Sequence, residues 1–72
     1  MTRVEGSKII YIAPNGTEKM FYHHDRNPQH AYQSSDNSRL FIECVPSAGT
    51  TIIEEWAVDN NANPQKISER TA

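Results

Sequence analysis

Apolar residues along this chain fall into four short runs, separated by polar stretches rich in turn-forming residues. The runs occupy residues 7–13, 18–24, 39–45 and 50–58, and β-branched and aromatic side chains dominate them. Such runs, bounded by clusters of Gly, Pro, Asn and Ser, are typical of β-strands. The pattern therefore predicts a mainly β protein, a small antiparallel sheet of about four strands built from two hairpins.

The first two runs are joined by Asn15-Gly16, the strongest short-range signal for a hairpin. A two-residue type I′ turn needs positive φ at both central positions, which Asn and Gly tolerate. This turn predicts that Ile12 faces Lys19, Tyr11 faces Met20, Ile10 faces Phe21 and Ile9 faces Tyr22. Because side chains alternate along a strand, the predicted faces are Ile9, Tyr11, Met20 and Tyr22 on one side, and Ile10, Ile12 and Phe21 on the other.

The last two runs form the second predicted hairpin, across the turn cluster at residues 46–49. A loop of three to five residues fits here, and a shift of one residue reverses every side chain. The sequence therefore leaves the register of this hairpin open.

Two polar segments lie outside the four runs. Asn27-Pro28 resembles the start of a helix, so we expect a loop over residues 25–38 with one short helical turn. Residues 59–72 contain only one large apolar residue and predict a flexible C-terminal tail. The domain organisation expected is a single small β domain at residues 1–58, followed by that tail.

Apolar side chains occur on both faces of the predicted strands, although a sheet with one solvated face shows clean alternation. The chain has no long amphipathic helix to cover the second face. Either the hairpins fold onto each other as a small barrel or sandwich, or another chain supplies the cover. Closing four short strands is geometrically tight, so this pattern favours association, and exposed apolar patches generally mark interaction sites.

Charge and cysteine content argue against several function classes. The 72 residues carry a net charge of −2, and the seven Lys and Arg are scattered. This distribution argues against nucleic-acid binding, because phosphate recognition needs a basic patch. No signal peptide or membrane-spanning run is present, so we expect a cytoplasmic protein without membrane contact. The lone Cys44 suits a reducing compartment, and its apolar run predicts a small core residue rather than a reactive thiol.

All three histidines lie within residues 21–30. His23 and His24 are consecutive in an extended strand and point to opposite sides, so they cannot easily share one metal ion. If the strand ends at Tyr22, a metal-stabilised module using His23, His24 and His30 is an alternative. We otherwise expect no metal and no cofactor.

Catalysis would require a nucleophile or an acid positioned around a base. Cys44 with a histidine would be the natural pair, but nothing in the sequence brings them together. Glu54 and Glu55 are adjacent on a strand, so their carboxylates face opposite ways. We therefore expect no catalytic residues and no enzymatic activity.

The function expected is a small non-enzymatic protein–protein interaction module, an adaptor or inhibitor that binds a larger partner or forms a homodimer. Small proteins of this kind include inhibitors encoded by phages and mobile elements. A single-stranded nucleic-acid-binding small β-barrel, using stacked aromatic rings, is the other alternative. The expected partner-binding residues are aromatic or lie in the histidine segment: Tyr22, His23, His24, Asp25, Tyr32 and Trp56.

Overall fold

A computed structural model describes all 72 residues and contains seven strands in two antiparallel sheets. The mainly β, antiparallel prediction is confirmed, although the strands are more numerous than expected. No helix is present that has the length and apolarity to cross a membrane. The first sheet has the order β1-β2-β3 and the second β4-β5-β6-β7. The strands are β1 (Arg3–Glu5), β2 (Lys8–Ile12), β3 (Glu18–Tyr22), β4 (Pro28–Gln33), β5 (Arg39–Ser47), β6 (Thr50–Ala57) and β7 (Gln65–Thr71).

The loop between β2 and β3 is longer than the predicted two-residue turn. The Ala13 N–H donates to the Thr17 carbonyl and the Gly16 N–H donates to the Ala13 carbonyl, each at 2.8 Å. Gly16 takes a positive φ of 89°, whereas Asn15 does not take positive φ. Pro14, Asn15 and Gly16 therefore form a three-residue hairpin loop that ends in a left-handed glycine, a common alternative to the type I′ turn.

The longer loop moves the strand register by one residue, so the predicted register is wrong. Ile9 faces Phe21 and Tyr11 faces Lys19. Phe21 consequently lies on the same face as Ile9 and Tyr11 and packs against the core. Met20 and Tyr22 lie on the other face, where they are 47% and 58% exposed. The one-residue shift thus places Phe21 on the inner face, and on the opposite face only Ile10 is buried, at 5% exposed.

The second hairpin has a tight turn at residues 48–49, since Ser47 pairs with Thr50. Its register, which the sequence left open, places Ile42 opposite Glu54 and Leu40 opposite Trp56. One face of β5 is fully buried, and its side chains are Leu40, Ile42 and Cys44.

Two predictions about polar segments are wrong. The loop expected to contain a helical turn instead contains strand β4, which pairs with β5. The expected flexible tail instead contains strand β7, which pairs with β6 and is exposed at every residue. Both are edge strands of the second sheet, and edge strands with a solvated surface need few apolar residues. Backbone hydrogen bonds therefore extend to Ala72, whose N–H donates to the Thr51 carbonyl at 2.9 Å.

The core lies between the two sheets. Its buried cluster comes from β2, β5 and the residue after β6: Ile9, Tyr11, Leu40, Ile42, Cys44 and Val58. Four partly buried residues pack against this cluster: Val4, Phe21, Ala31 and Trp56. Each sheet thus covers the inner face of the other. Of the two alternatives left open by the sequence, the chain adopts the one in which its own sheets cover each other, and a second chain is not needed for this core.

The Gln33 side chain joins the two sheets where no backbone ladder connects them. Its amide oxygen accepts from the Ile12 N–H at 2.7 Å, and its amide nitrogen donates to the Ile12 carbonyl at 2.8 Å. The same oxygen accepts from the Thr2 hydroxyl. Strand β1 pairs with β2 only as far as Ile10. The Gln33 side chain supplies the pairing that a longer β1 would offer to Ile12, so the backbone polar groups of Ile12 are satisfied.

The packing between the sheets makes Ile42 a sensitive test position. Ile42→Ala is expected to lower the free energy of unfolding by about 2–5 kcal/mol, because a fully buried side chain leaves a cavity. Ile67→Ala, at a half-exposed position of β7, is the matched control and should change it by less than about 1 kcal/mol. Denaturant titration measures both, and equal effects would contradict the two-sheet core.

Candidate functional site

An open cavity of about 430 Å3 lies at one end of the interface between the sheets. This volume lies within the range of ~300–1,000 Å3 that is usual for ligand pockets. The lining residues come from the end of β3, the segment after it, β6 and β7: Phe21, Tyr22, His23, Asp25, Arg26, Glu54, Trp56 and Lys66.

Glu54 contributes a carboxylate that is only 1% exposed. The register of β5 and β6 places it opposite Ile42, on the inner face of the second sheet. Its Oε1 accepts from His23 Nε2 at 2.8 Å and from Trp56 Nε1 at 3.0 Å. A carboxylate oxygen accepts this bond when the hydrogen of His23 is on Nε2. The bond to His23 therefore connects the first sheet to the second.

The second oxygen of the same carboxylate, Oε2, is buried and has no hydrogen-bond partner. Arg26 Nη1 lies 3.5 Å away and Lys66 Nζ lies 4.0 Å away. These two cations offset the desolvation of the buried charge. Buried polar atoms in folded proteins nearly always have a hydrogen-bond partner, so Oε2 is an exception that lacks a donor.

Arg26 and Lys66 are held in place by Glu69. Its Oε1 accepts from Arg26 Nη1 at 2.9 Å and from Lys66 Nζ at 2.6 Å. The hydrogen bond from Lys66, followed by that from Arg26, lowers the pKa of the Glu69 carboxyl. The bond to Glu69 in turn raises the pKa of Arg26 above its usual value. The cavity is thus bordered by fixed charges of both signs.

Aromatic rings form one wall of the cavity. The Phe21 and Trp56 centroids are 5.2 Å apart, and the His23 and Trp56 rings meet edge to face at 5.6 Å. Phe21 also contacts Tyr11 of the core, with centroids 5.9 Å apart. Rings packed in this way have few alternative rotamers, so they offer a rigid apolar surface.

Cys44 lies behind the cavity, and the structure brings it close to a histidine. Its Sγ is 3.9 Å from His23 Nε2. The side chain is fully buried, which confirms the prediction of a core residue. Desolvation, and next the Glu54 charge, raise the pKa of the Cys44 thiol to about 11. A protonated thiol without solvent access is a poor nucleophile, so this pair lacks the activation that Cys–His catalysis requires.

Four of the six expected partner-binding residues line the cavity, namely Tyr22, His23, Asp25 and Trp56. The other two lie elsewhere. His24 stacks on Tyr22, with parallel rings 5.7 Å apart, and does not line the cavity. Tyr32 belongs to the second sheet and stacks on Phe41.

The structure corrects the histidine ligand set considered from the sequence. His23 points to Glu54, whereas His24 stacks on Tyr22. The His30 side chain is 76% exposed and lies 3.9 Å from a Glu43 oxygen. The three histidines therefore do not converge on one point.

Sequence reasoning missed the charged residues of the site. Arg26, Lys66 and Glu69 lie in segments interpreted as loop or tail, and they become neighbours only when β7 pairs with β6. Glu54 carried a stronger signal, since it is an acid within an apolar run. Its burial follows only from the register that places it opposite Ile42.

Comparisons with protein families, with curated proteins and with solved structures found no match to this chain. The function must therefore be argued from the geometry of the cavity.

The environment of Cys44 predicts slow alkylation in the folded protein. A pKa of about 11, against an ordinary 9.0, leaves about a hundredfold less thiolate near pH 8. Iodoacetamide should therefore label folded Cys44 at least about a hundredfold more slowly than the same protein in denaturant, followed by mass spectrometry. Labelling rates within threefold of each other would contradict the buried, protonated thiol.

Proposed function

We propose that this protein is a small non-enzymatic binding module, an adaptor or inhibitor, whose cavity receives a side chain from a partner protein. The observation that carries the proposal is the Glu54 carboxylate, whose Oε2 is buried without a hydrogen-bond partner at a cavity with aromatic walls. Protein ligand sites combine an apolar surface with a few well-placed polar groups in this way. A donor from a partner would satisfy the free oxygen.

The charges around the cavity favour a basic side chain as the group received. Three carboxylates, those of Asp25, Glu54 and Glu69, lie at or beside the cavity, against the two cations Arg26 and Lys66. A lysine or arginine also has an apolar stem that packs against rings, and its charge is attracted to the face of Trp56. The net charge of the chain, −2, also favours a positively charged group from the partner.

Tyr22 gives the rim of the cavity an exposed aromatic anchor. Its side chain is 58% exposed and is held by the ring of His24. Exposed aromatic residues beside a pocket frequently supply much of the binding free energy of protein interfaces. We therefore place the centre of the proposed interface at Tyr22 and Trp56.

We propose a protein rather than a nucleic acid as the partner. Five of the seven Lys and Arg side chains lie within 4.0 Å of a carboxylate: Arg3, Lys8, Arg26, Arg39 and Lys66. This pairing leaves no basic groove for phosphates. We further propose the cytoplasm as its location, because the free thiol of Cys44 suits a reducing compartment.

Site-specific photo-crosslinking in cells of the native host tests the proposal. A photoreactive phenylalanine analogue replaces Tyr22 at the cavity rim or, as the matched control, Tyr32 on the second sheet. The two positions have similar exposure, 58% and 49%. Position 22 is expected to give one discrete protein adduct, while position 32 should not give that adduct.

A second variant checks that the adduct depends on the cavity. Adding Trp56→Ala to the chain that carries the probe at position 22 should reduce the adduct at least about tenfold, because an aromatic anchor is lost. An adduct of twice the chain mass would identify the partner as a second copy. The absence of a protein adduct, an adduct with nucleic acid, or equal adducts from both positions would contradict the proposal.

A further inference from the structure

A cluster of three different metal-binding side chains lies where the cavity meets the core. His23, Cys44 and Glu54 each offer one ligand atom, and these atoms all lie within 4.8 Å of one another. No other group of three or more His, Cys, Asp or Glu side chains converges in this way. We propose that these three residues bind a divalent transition-metal ion of the zinc class.

One separation between the ligand atoms is close to that of a common ion, and all three are within 4.8 Å. Bond lengths of about 2.0–2.3 Å in tetrahedral zinc sites place neighbouring ligand atoms about 3.3–3.8 Å apart. His23 Nε2 lies 3.9 Å from Cys44 Sγ, which is close to that range. His23 Nε2 and Glu54 Oε1 are closer, at 2.8 Å, because they share a hydrogen bond. Breaking that bond and small side-chain rotations would bring the three atoms to coordination distance.

The chemical types of the three ligands select the class of ion. Imidazole nitrogen and thiolate sulfur favour zinc and related transition metals, whereas magnesium and calcium prefer oxygen ligands. Three protein ligands leave one tetrahedral position open, as in zinc sites that bind an exogenous group. Two of the three ligand residues, His23 and Glu54, also line the cavity, which provides access to that position.

Charge balance also supports a doubly charged cation. The Cys44 thiolate and the Glu54 carboxylate together neutralise two positive charges. When the metal binds, the proton of the thiol passes to solvent, and the hydrogen of His23 moves from Nε2 to Nδ1 by exchange with solvent. Arg26 and Lys66 lie near the other oxygen of Glu54, and both contact Glu69. Glu69 therefore partly compensates their charges.

The ion would bind both sheets together. His23 directly follows β3 of the first sheet, whereas Cys44 and Glu54 belong to β5 and β6 of the second. Structural metals commonly stabilise chains of this length, whose cores are small. The inference does not rest on the proposed protein partner, and it assigns a second property to the same end of the molecule.

Titration of the chelator-treated, full-length chain with Co2+ alone tests the site, because Co2+ reports its ligands spectroscopically. Binding of one equivalent should produce a thiolate-to-cobalt charge-transfer band in the near ultraviolet and tetrahedral bands in the visible region. Zn2+ should then displace the cobalt and remove these bands. This measurement uses the unaltered chain, so it does not depend on any variant folding.

Two variants then assign the ligands. Cys44→Ala should abolish the charge-transfer band and weaken Co2+ binding at least about tenfold. His24→Ala is the matched control, since His24 adjoins His23 in sequence but stacks on Tyr22, and it should leave the spectrum and affinity unchanged. Circular dichroism confirms that each variant is folded.

Several results would overturn the metal site. These are the absence of a charge-transfer band with the unaltered chain, a band that survives Cys44→Ala, or a band that His24→Ala removes. Crosslinking from position 22 requires no metal ion, so failure of the cobalt titration would leave the proposed protein partner standing. Conversely, a chain that binds cobalt but gives no crosslink would retain the metal site and lose the proposed interface.

Discussion

The face-to-face packing of two short sheets is the interaction on which the rest of this structure depends. Ile9 and Tyr11 of the first sheet meet Leu40 and Ile42 of the second, and all four are essentially inaccessible to solvent. Burial of such side chains is the dominant favourable term in folding. Neither sheet has this cover alone, so the fold requires both hairpins and the edge strands that widen them. Because one chain supplies both layers, association is not needed to hide the core.

The same packing explains why a carboxylate is buried. The register that brings Ile42 inward also brings its partner Glu54 inward, to the end of the interface where the cavity opens. Hydrogen bonds from His23 and Trp56 and the nearby charges of Arg26 and Lys66 compensate the burial, as buried charges require. Compensation is incomplete at Oε2. The two proposals use different oxygens of this carboxylate: a partner side chain would bind at Oε2, and the metal ion at Oε1.

The sequence predicted strand content well because β-branched and aromatic runs are a local signal, and the two hairpins were placed correctly. It failed where pairing decides the outcome. Pro14 extended the Asn15-Gly16 turn to three residues, which moved Phe21 to the inner face. Strands β4 and β7 are polar because they lie at edges, so their composition resembles that of loops. Four cavity residues were anticipated from aromatic and histidine content, but the contact of His23 with Glu54 joins residues 31 positions apart and has no local signature.

The central claim is that one chain supplies both layers of the core, and a mixed-label nuclear Overhauser experiment tests it most directly. Phe21 of the first sheet and Trp56 of the second have ring centroids 5.2 Å apart. In a sample that mixes isotope-labelled and unlabelled chains, isotope filtering separates contacts within one chain from contacts between chains. The account predicts a strong Phe21–Trp56 cross-peak within single labelled chains. A cross-peak seen only between labelled and unlabelled chains would show that a second copy covers the core, and would contradict the account.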